Sequence, residues 1–319
     1  YGYYLSILFN LGTDISQVEG SGNENFRIIP TNSFPTTQSE VQQTWAALYT
    51  GIYRANDFLE RIKKKIGSYT TTDKKLATLY IAEARALRGM FYFELVRRFG
   101  NVVLMTSTQM SNQNPATYVQ SAPEKVYEYI EDDLLYACDI LPYATDDQYR
   151  ESNDYRFSKG AALGLLTKVY ATWAGYPVKD ESKWEAAAKT ARILVESGKH
   201  GLLKDYEQLW KNTCNGTWDP TESLIEISFY SPTVSGNSDP VGRIGKWNGV
   251  KTTAIAGVRG SCAANVKVVH TFVLDWREDV SDIRRDLSIA NYQYTDTKKS
   301  LWVAGASDTD ESAAEKDAD

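Results

Sequence analysis

The sequence predicts a mainly α-helical protein of tetratricopeptide-like helix hairpins, carrying long irregular loops and a few short strands. Three observations predict it. Within Leu76 to Phe99, one set of residues (Leu76, Tyr80, Ala84, Leu87, Phe91, Leu95) and an adjoining set (Leu79, Ala82, Ala86, Met90, Phe93) recur at three- and four-residue steps, the period of helix faces. Two further segments, Ser158 to Trp173 and Ser182 to Ser197, repeat that period across a short turn, with small residues where they should meet. Between and beyond such segments run stretches rich in Gly, Ser, Asn and Pro that carry no apolar period. The chain reads as a single domain over residues 1–319. Its helical repeat core occupies about 39–210, and a loop-rich, ligand-binding part about 211–300.

Taken in order, Tyr1 to Leu11 reads as the tail of an amphipathic helix that Gly12 ends. Gly12 to Thr37 is a long polar loop, and loops of that length inside a domain are often functional. Ser39 to Lys65 is a helix capped by Ser39, striped by Trp45, Leu48, Ile52, Ala55, Leu59 and Ile62, with Gly51 as a point of breakage. Leu76 to Phe99 is apolar nearly all round, which marks a buried helix. Gly100 stops it, and Arg97 and Arg98 complement the negative end of its dipole. Its charges, Glu83, Arg85, Arg88 and Glu94, must be paired if buried, and read as structural ion pairs rather than catalytic groups.

Asn101 to Met105 is a short apolar run, extended or turning, and a loop follows. Pro123 suits the first position of a helix that runs to Leu141. Ser158 caps the next helix, and Ser182 the one after. Glu222 to Phe229 reads as a short strand, Ser231 to Gly260 as an irregular excursion whose single aromatic is Trp247. Asn265 to Trp276 fits strand by its Val and Thr content and helix by its spacing. Asp308 to Asp319 is acidic and reads as frayed.

A net charge of −6 with no basic domain argues against nucleic acid. No apolar run reaches membrane-spanning length. Cys138, Cys214 and Cys262 have no metal-ligand spacing and are too few for a disulfide framework, and His200 and His270 form no motif. No metal and no cofactor is expected. Asp132-Asp133 and Asp146-Asp147 could supply paired carboxylates, but neighbouring acids on a helix point different ways and read as solvated charge. There is no nucleophile motif and no glycine-rich phosphate loop, so no catalytic residue is assigned and an enzyme is not expected. The chain opens at Tyr1 without Met, signal peptide or lipid-anchor motif, and reads as a processed or truncated product.

Several motifs resemble the SusD/RagB family of surface glycan-binding lipoproteins of Bacteroidota. They are Trp45 with Tyr49-Thr-Gly-Ile52-Tyr-Arg-Ala-Asn56, Ala82-Glu-Ala-Arg-Ala-Leu-Arg-Gly89 running through Phe91-Tyr-Phe-Glu-Leu95 to Phe99-Gly100, Ser223 to Phe229, and Asp282-Ile-Arg-Arg285. Val103 departs from the proline usual after that glycine, which bears on the turn alone. The resemblance implies a SusD-like helical protein on the outer membrane. Such a protein would be held by an N-terminal lipid not present in this chain and would cap a SusC-like TonB-dependent transporter. It would hold oligosaccharides for import and catalyse nothing. The family starts with a lipidated cysteine and continues past the point matching Asp319, so the resemblance implies a partial chain. The alternative is a tetratricopeptide-type adaptor that binds a peptide or protein in its helical groove.

For a glycan, sugar C–H faces need Trp or Tyr, and hydroxyls need Asn, Asp or Arg. The candidates are Trp247 with Tyr230, Trp218, and Asp14, Asn23, Phe26 and Arg27 of the first loop. Trp247 sits among Gly245, Lys246, Asn248 and Gly249, so its indole either stacks on ligand or folds back onto the core.

Overall fold

A computed structural model of the chain describes residues 5, 12–18, 25–146, 155–227, 229, 244–255, 260–276, 281–290, 292–295, 298–301 and 314–316. Two compact units are present, Trp45–Ile227 in one and Tyr1–Thr44 with Ser228–Asp319 in the other.

The first unit is helical: α1 (Ser39–Lys65, from Trp45 on), α2 (Thr71–Phe99), α3 (Pro123–Ile140), α4 (Lys159–Ala174), α5 (Lys183–Glu196) and α6 (Tyr206–Cys214). From α2 onward, each of α3, α4 and α5 packs on the helix before it. Helix α2 starts where the Thr70 hydroxyl accepts from the Asp73 amide while donating to its carboxylate. It ends at Gly100, whose φ of 66° suits a residue without Cβ. Helices α1 and α2 run antiparallel: Trp45 lies edge-on to Phe99 at 5.0 Å, and Asn56 Oδ1 accepts from Arg88 Nη1.

Gly51 does not break α1. A Cβ there would lie 2.6 Å from Phe91 Cε2, so the glycine is an approach point between two helices rather than a kink. The same helix pins the extended run after Gly100: the Tyr49 hydroxyl donates to Val103 O (2.8 Å), Asn56 Nδ2 donates to Met105 O (2.9 Å), and Glu60 accepts from the Thr108 amide and hydroxyl.

The α2 core is Ala82, Ala86, Met90, Tyr92, Phe93, Leu95 and Val96, all buried. Leu76 and Leu87, read as core from their period, are 36% and 39% exposed. Both lie on a strip of α2 that its neighbours leave partly uncovered. The four charges within the apolar stretch of α2 are paired as structural ions: Glu83 with Arg156, Arg85 and Arg88 with Asp133, and Glu94 with Arg97 and Arg98. Asp133 is therefore not the solvated charge its sequence neighbours suggested; it is fully buried between two guanidiniums.

Two further expectations are corrected. Ser182 already has helical backbone angles and caps nothing with its side chain; its hydroxyl donates to Asp180 Oδ1 instead. Residues 222–227 form no strand, because nothing described pairs with them there.

The second unit holds two small antiparallel sheets, β1 (Ser16–Val18) with β2 (Val266–Val268), and β3 (Tyr292–Thr295), β4 (Lys298–Leu301), β5 (Ala314–Lys316). It also holds short helices α7 (Ile244–Asn248), α8 (His270–Trp276) and α9 (Arg284–Ser288). The first loop is thus not wholly irregular: it contributes β1 and a 3-10 turn, Asn25–Thr31. Residues 265–276 satisfy both readings in succession, strand then helix. Of the expected N-terminal helix, only Leu5 lies within the described residues, and it is helical and buried. The acidic tail falls outside them apart from β5.

Candidate ligand-binding surface

In the second unit, β1 pairs with β2 in the register Ser16 to Val268, Gln17 to Lys267 and Val18 to Val266. The period of two puts Val18 and Val266 on one face, and there they pack on Phe26 and Ile29 of the 3-10 turn. Trp247, from the short helix α7, closes this cluster. Its indole stacks on the Phe26 ring with centroids 5.0 Å apart and an interplanar angle of 30°. The Arg27 guanidinium lies 5.0 Å from the centroid of that same ring. The Trp247 carbonyl accepts from the Asn265 amide at 2.6 Å, which ties α7 to the residue entering β2.

Three of the sequence candidates thus come together: Phe26, Arg27 and Trp247. Phe26 is buried behind the indole, while Trp247 is only partly buried. Within the pair, Trp247 offers surface and Phe26 supports it. The indole does fold back, onto a small cluster and not a large core, and the residue stays partly exposed. Asp14 is exposed just before β1. Trp218 belongs to the helical unit, half-buried beside Tyr155 with ring centroids 6.0 Å apart. Asn23 and Tyr230 lie outside the described residues. Sequence reasoning missed the supports Val18, Val266 and Asn265. The alternation Val266-Lys267-Val268 was the available signal, but its partner strand lies in another part of the chain.

No group of three or more His, Cys, Asp or Glu that could hold a metal ion occurs among the described residues. No helix among them is long and apolar enough to cross a membrane. Arg284 holds the Asp282 carboxylate well below the usual range, donating from Nε at 2.8 Å and Nη2 at 2.6 Å, with Trp276 Nε1 adding a third donor. This element, read from sequence as part of the family resemblance, locks a local turn.

Helix hairpins with long irregular segments and a few short strands define the class, a mainly α-helical protein of tetratricopeptide-like build. Residues 6–171 match the SusD-like family, described as starch-binding and associating with the outer membrane, and the chain belongs to that family. A SusD homologue from Bacteroides thetaiotaomicron VPI-5482, solved by crystallography, is 99% identical with a TM-score of 0.92; the match covers 98% of this chain and 58% of that one. A SusD-like protein of Bacteroides ovatus is 27% identical over 72% of this chain and 43% of its own length. A laminarin-binding SusD-like protein of known structure is 27% identical with a TM-score of 0.67, over 87% of this chain and 60% of its own. The chain spans about half the length of the curated relatives it matches.

Proposed function

We propose that this protein captures oligosaccharides at the cell surface and passes them, uncleaved, to a SusC-like TonB-dependent transporter of the outer membrane. The single observation that carries the glycan reading is membership of a family described as starch-binding, strengthened by a 27% identical relative that binds laminarin. The same description, of association with the outer membrane, supports the location.

The chemistry of the surface fits. The outward part of the Trp247 indole gives a flat apolar face for sugar C–H groups, held in place by Phe26 below it. Arg27 supplies donors and Asp14 an acceptor for hydroxyls at the periphery. Asn23 and Tyr230 are further candidates of the same unit, and Trp218, in the helical unit, is a separate candidate. Binding needs no metal and leaves the glycan intact.

A glycan array run beside a peptide-binding screen tests the reading. Capture of glucans or other oligosaccharides, with chain length unchanged on chromatography, is the expected result. Peptide capture with no glycan signal would overturn it in favour of a helical-groove adaptor, and shorter products would overturn the non-catalytic part.

A further inference from the structure

The tip of the α1–α2 hairpin concentrates positive charge in a chain whose net charge is −6. Between Arg61 and Lys75 lie six cations, Arg61, Lys63, Lys64, Lys65, Lys74 and Lys75, against one carboxylate, Asp73. All six are exposed. Arg61 pairs with Asp57 within its own helix, and Lys64 faces Glu60, but Lys63, Lys65, Lys74 and Lys75 reach no carboxylate among the described residues. The hairpin brings them together, because the two helices are antiparallel and only the turn Ile66–Thr70 separates the end of α1 from the start of α2.

Helix stability accounts for half of this arrangement. Lys63, Lys64 and Lys65 close the last turn of α1, where cations complement the dipole. Lys74 and Lys75 follow the first turn of α2, whose charge is Asp73, so the dipole does not favour them there. Two exposed lysines that helix stability does not explain, beside three gathered at the end of the preceding helix, form a patch suited to an outside anion. Exposed charges gathered at one turn can lie together within a Debye length, roughly 8–10 Å, of a broad surface.

We infer that the hairpin tip 61–75 is a docking surface for the phosphate-bearing head groups of an anionic membrane, orienting the protein against the bilayer. The inference rests on the outer-membrane reading above, and names the contact that reading lacks. Each lysine near such a surface contributes on the order of 1 kcal/mol, or about fivefold in affinity.

The test uses the full chain and co-sedimentation with vesicles of phosphatidylcholine alone or with 30 mol% (roughly) phosphatidylglycerol. The expected result is binding to the anionic vesicles only, weakening steeply as salt rises. It should fall by at least about a hundredfold in the variant Lys63→Gln, Lys64→Gln, Lys65→Gln, Lys74→Gln, Lys75→Gln. Unchanged circular dichroism of the variant checks that it is folded. Failure to bind anionic vesicles at low salt overturns the inference, as does salt-independent binding or equal binding by the variant. Capture of soluble dextran sulfate with no vesicle binding overturns it too, in favour of an anionic polysaccharide. A protein that fractionates with outer membranes in cells yet ignores anionic vesicles overturns this inference and leaves the outer-membrane reading standing.

Discussion

Arg88 meets Asp133 through two parallel hydrogen bonds, Nε to Oδ2 and Nη2 to Oδ1, each 2.8 Å long. The carboxylate is fully buried, and Arg85 Nε donates to the same Oδ1 at 2.8 Å. Arg88 is also satisfied elsewhere, by Asn56 Oδ1 at 2.7 Å and by the face of Tyr129 at 4.8 Å. The arrangement joins α1, α2 and α3 at one point.

Asp133→Ala leaves two guanidiniums facing a buried gap, and loss of one partner of a buried pair costs roughly 3–5 kcal/mol. Arg88→Lys cannot reproduce the fork and should cost part of that. Urea unfolding checks both. A shift below about 1 kcal/mol for Asp133→Ala would show that the network is not a stabilising joint.

Gly51→Ala and Gly67→Ala should differ in sign. Alanine gains up to about 1 kcal/mol of helix propensity over glycine. At Gly51 the new methyl would meet the Phe91 ring at 2.6 Å, and overpacking of that kind costs roughly 1–3 kcal/mol, so the net effect is a loss. At Gly67 nothing lies within 4 Å, and the change should be neutral or slightly stabilising. Equal melting temperatures for the two variants would contradict the close approach of α1 and α2.

How far the sequence could be read is visible in α2. Its extent, its caps and the pairing of Glu83, Arg85, Arg88 and Glu94 follow from local pattern and from the cost of burying charge. The partners do not, because Asp133 and Arg156 come from other helices. Nor does the side on which α2 stays uncovered: period counts apolar residues, not neighbours, so Leu87 and Leu95 look alike in sequence. The Trp247 seat was illegible for the same reason. Every residue beside it in the chain is small or polar, while Val18 and Val266 reach it through strand pairing and Phe26 from the 3-10 turn. Phe26 and Trp247 were each legible as aromatics in loops; that they touch was not.

Leu95→Ala should therefore cost roughly 2–5 kcal/mol, since Leu95 is wholly buried. Leu87→Ala, at a position 39% exposed, should cost less than half as much. Phe91→Ala, at the Gly51 contact, should cost more than Leu87→Ala despite partial exposure. Thermal denaturation of the three variants ranks them, and a Leu87 effect equal to that of Leu95 would reverse the assignment of the uncovered strip.

Alkali should unfold the helical unit through its tyrosines. Burial pushes Tyr49, Tyr127 and Tyr129 up to about 12, with Arg97 and Arg88 pulling Tyr127 and Tyr129 part of the way back. The unfolded chain releases these protons near the ordinary value of about 10, the folded one later. Below about 10 the stabilisation is intact; between about 10 and 12 the unfolded state binds fewer protons and stability falls as pH rises. Absorbance titration should show these rings ionising together with unfolding. Cys138 follows the same logic: burial pushes its thiol up to about 12, so at pH 8 iodoacetamide should label exposed Cys214 and spare Cys138 until denaturant is added. Early ionisation of all tyrosines, or equal labelling of the two thiols, would contradict the packing of α3.

Trp247 gives the decisive test of the surface. Its indole stacks on Phe26 at 5.0 Å, and the residue keeps part of its surface exposed. Trp247→Ala removes both, so stability and binding should fall together. Lost aromatic pairing accounts for roughly 0.5–1.5 kcal/mol of the stability. Loss of a stacking platform accounts for roughly 1–3 kcal/mol of glycan affinity, by analogy with stacking on nucleobases. The two effects separate in other variants. Trp247→Phe keeps a ring on Phe26 while shrinking the outward face, so stability should hold better than affinity. Phe26→Ala empties the support, and truncating a buried phenylalanine costs roughly 3–5 kcal/mol. Its binding loss should shrink at low temperature, where the unit stays folded. Calorimetry of folded Trp247→Ala with a glycan that the parent binds settles the role: undiminished affinity would remove Trp247 from the ligand surface and leave it a purely structural member of the Phe26 cluster.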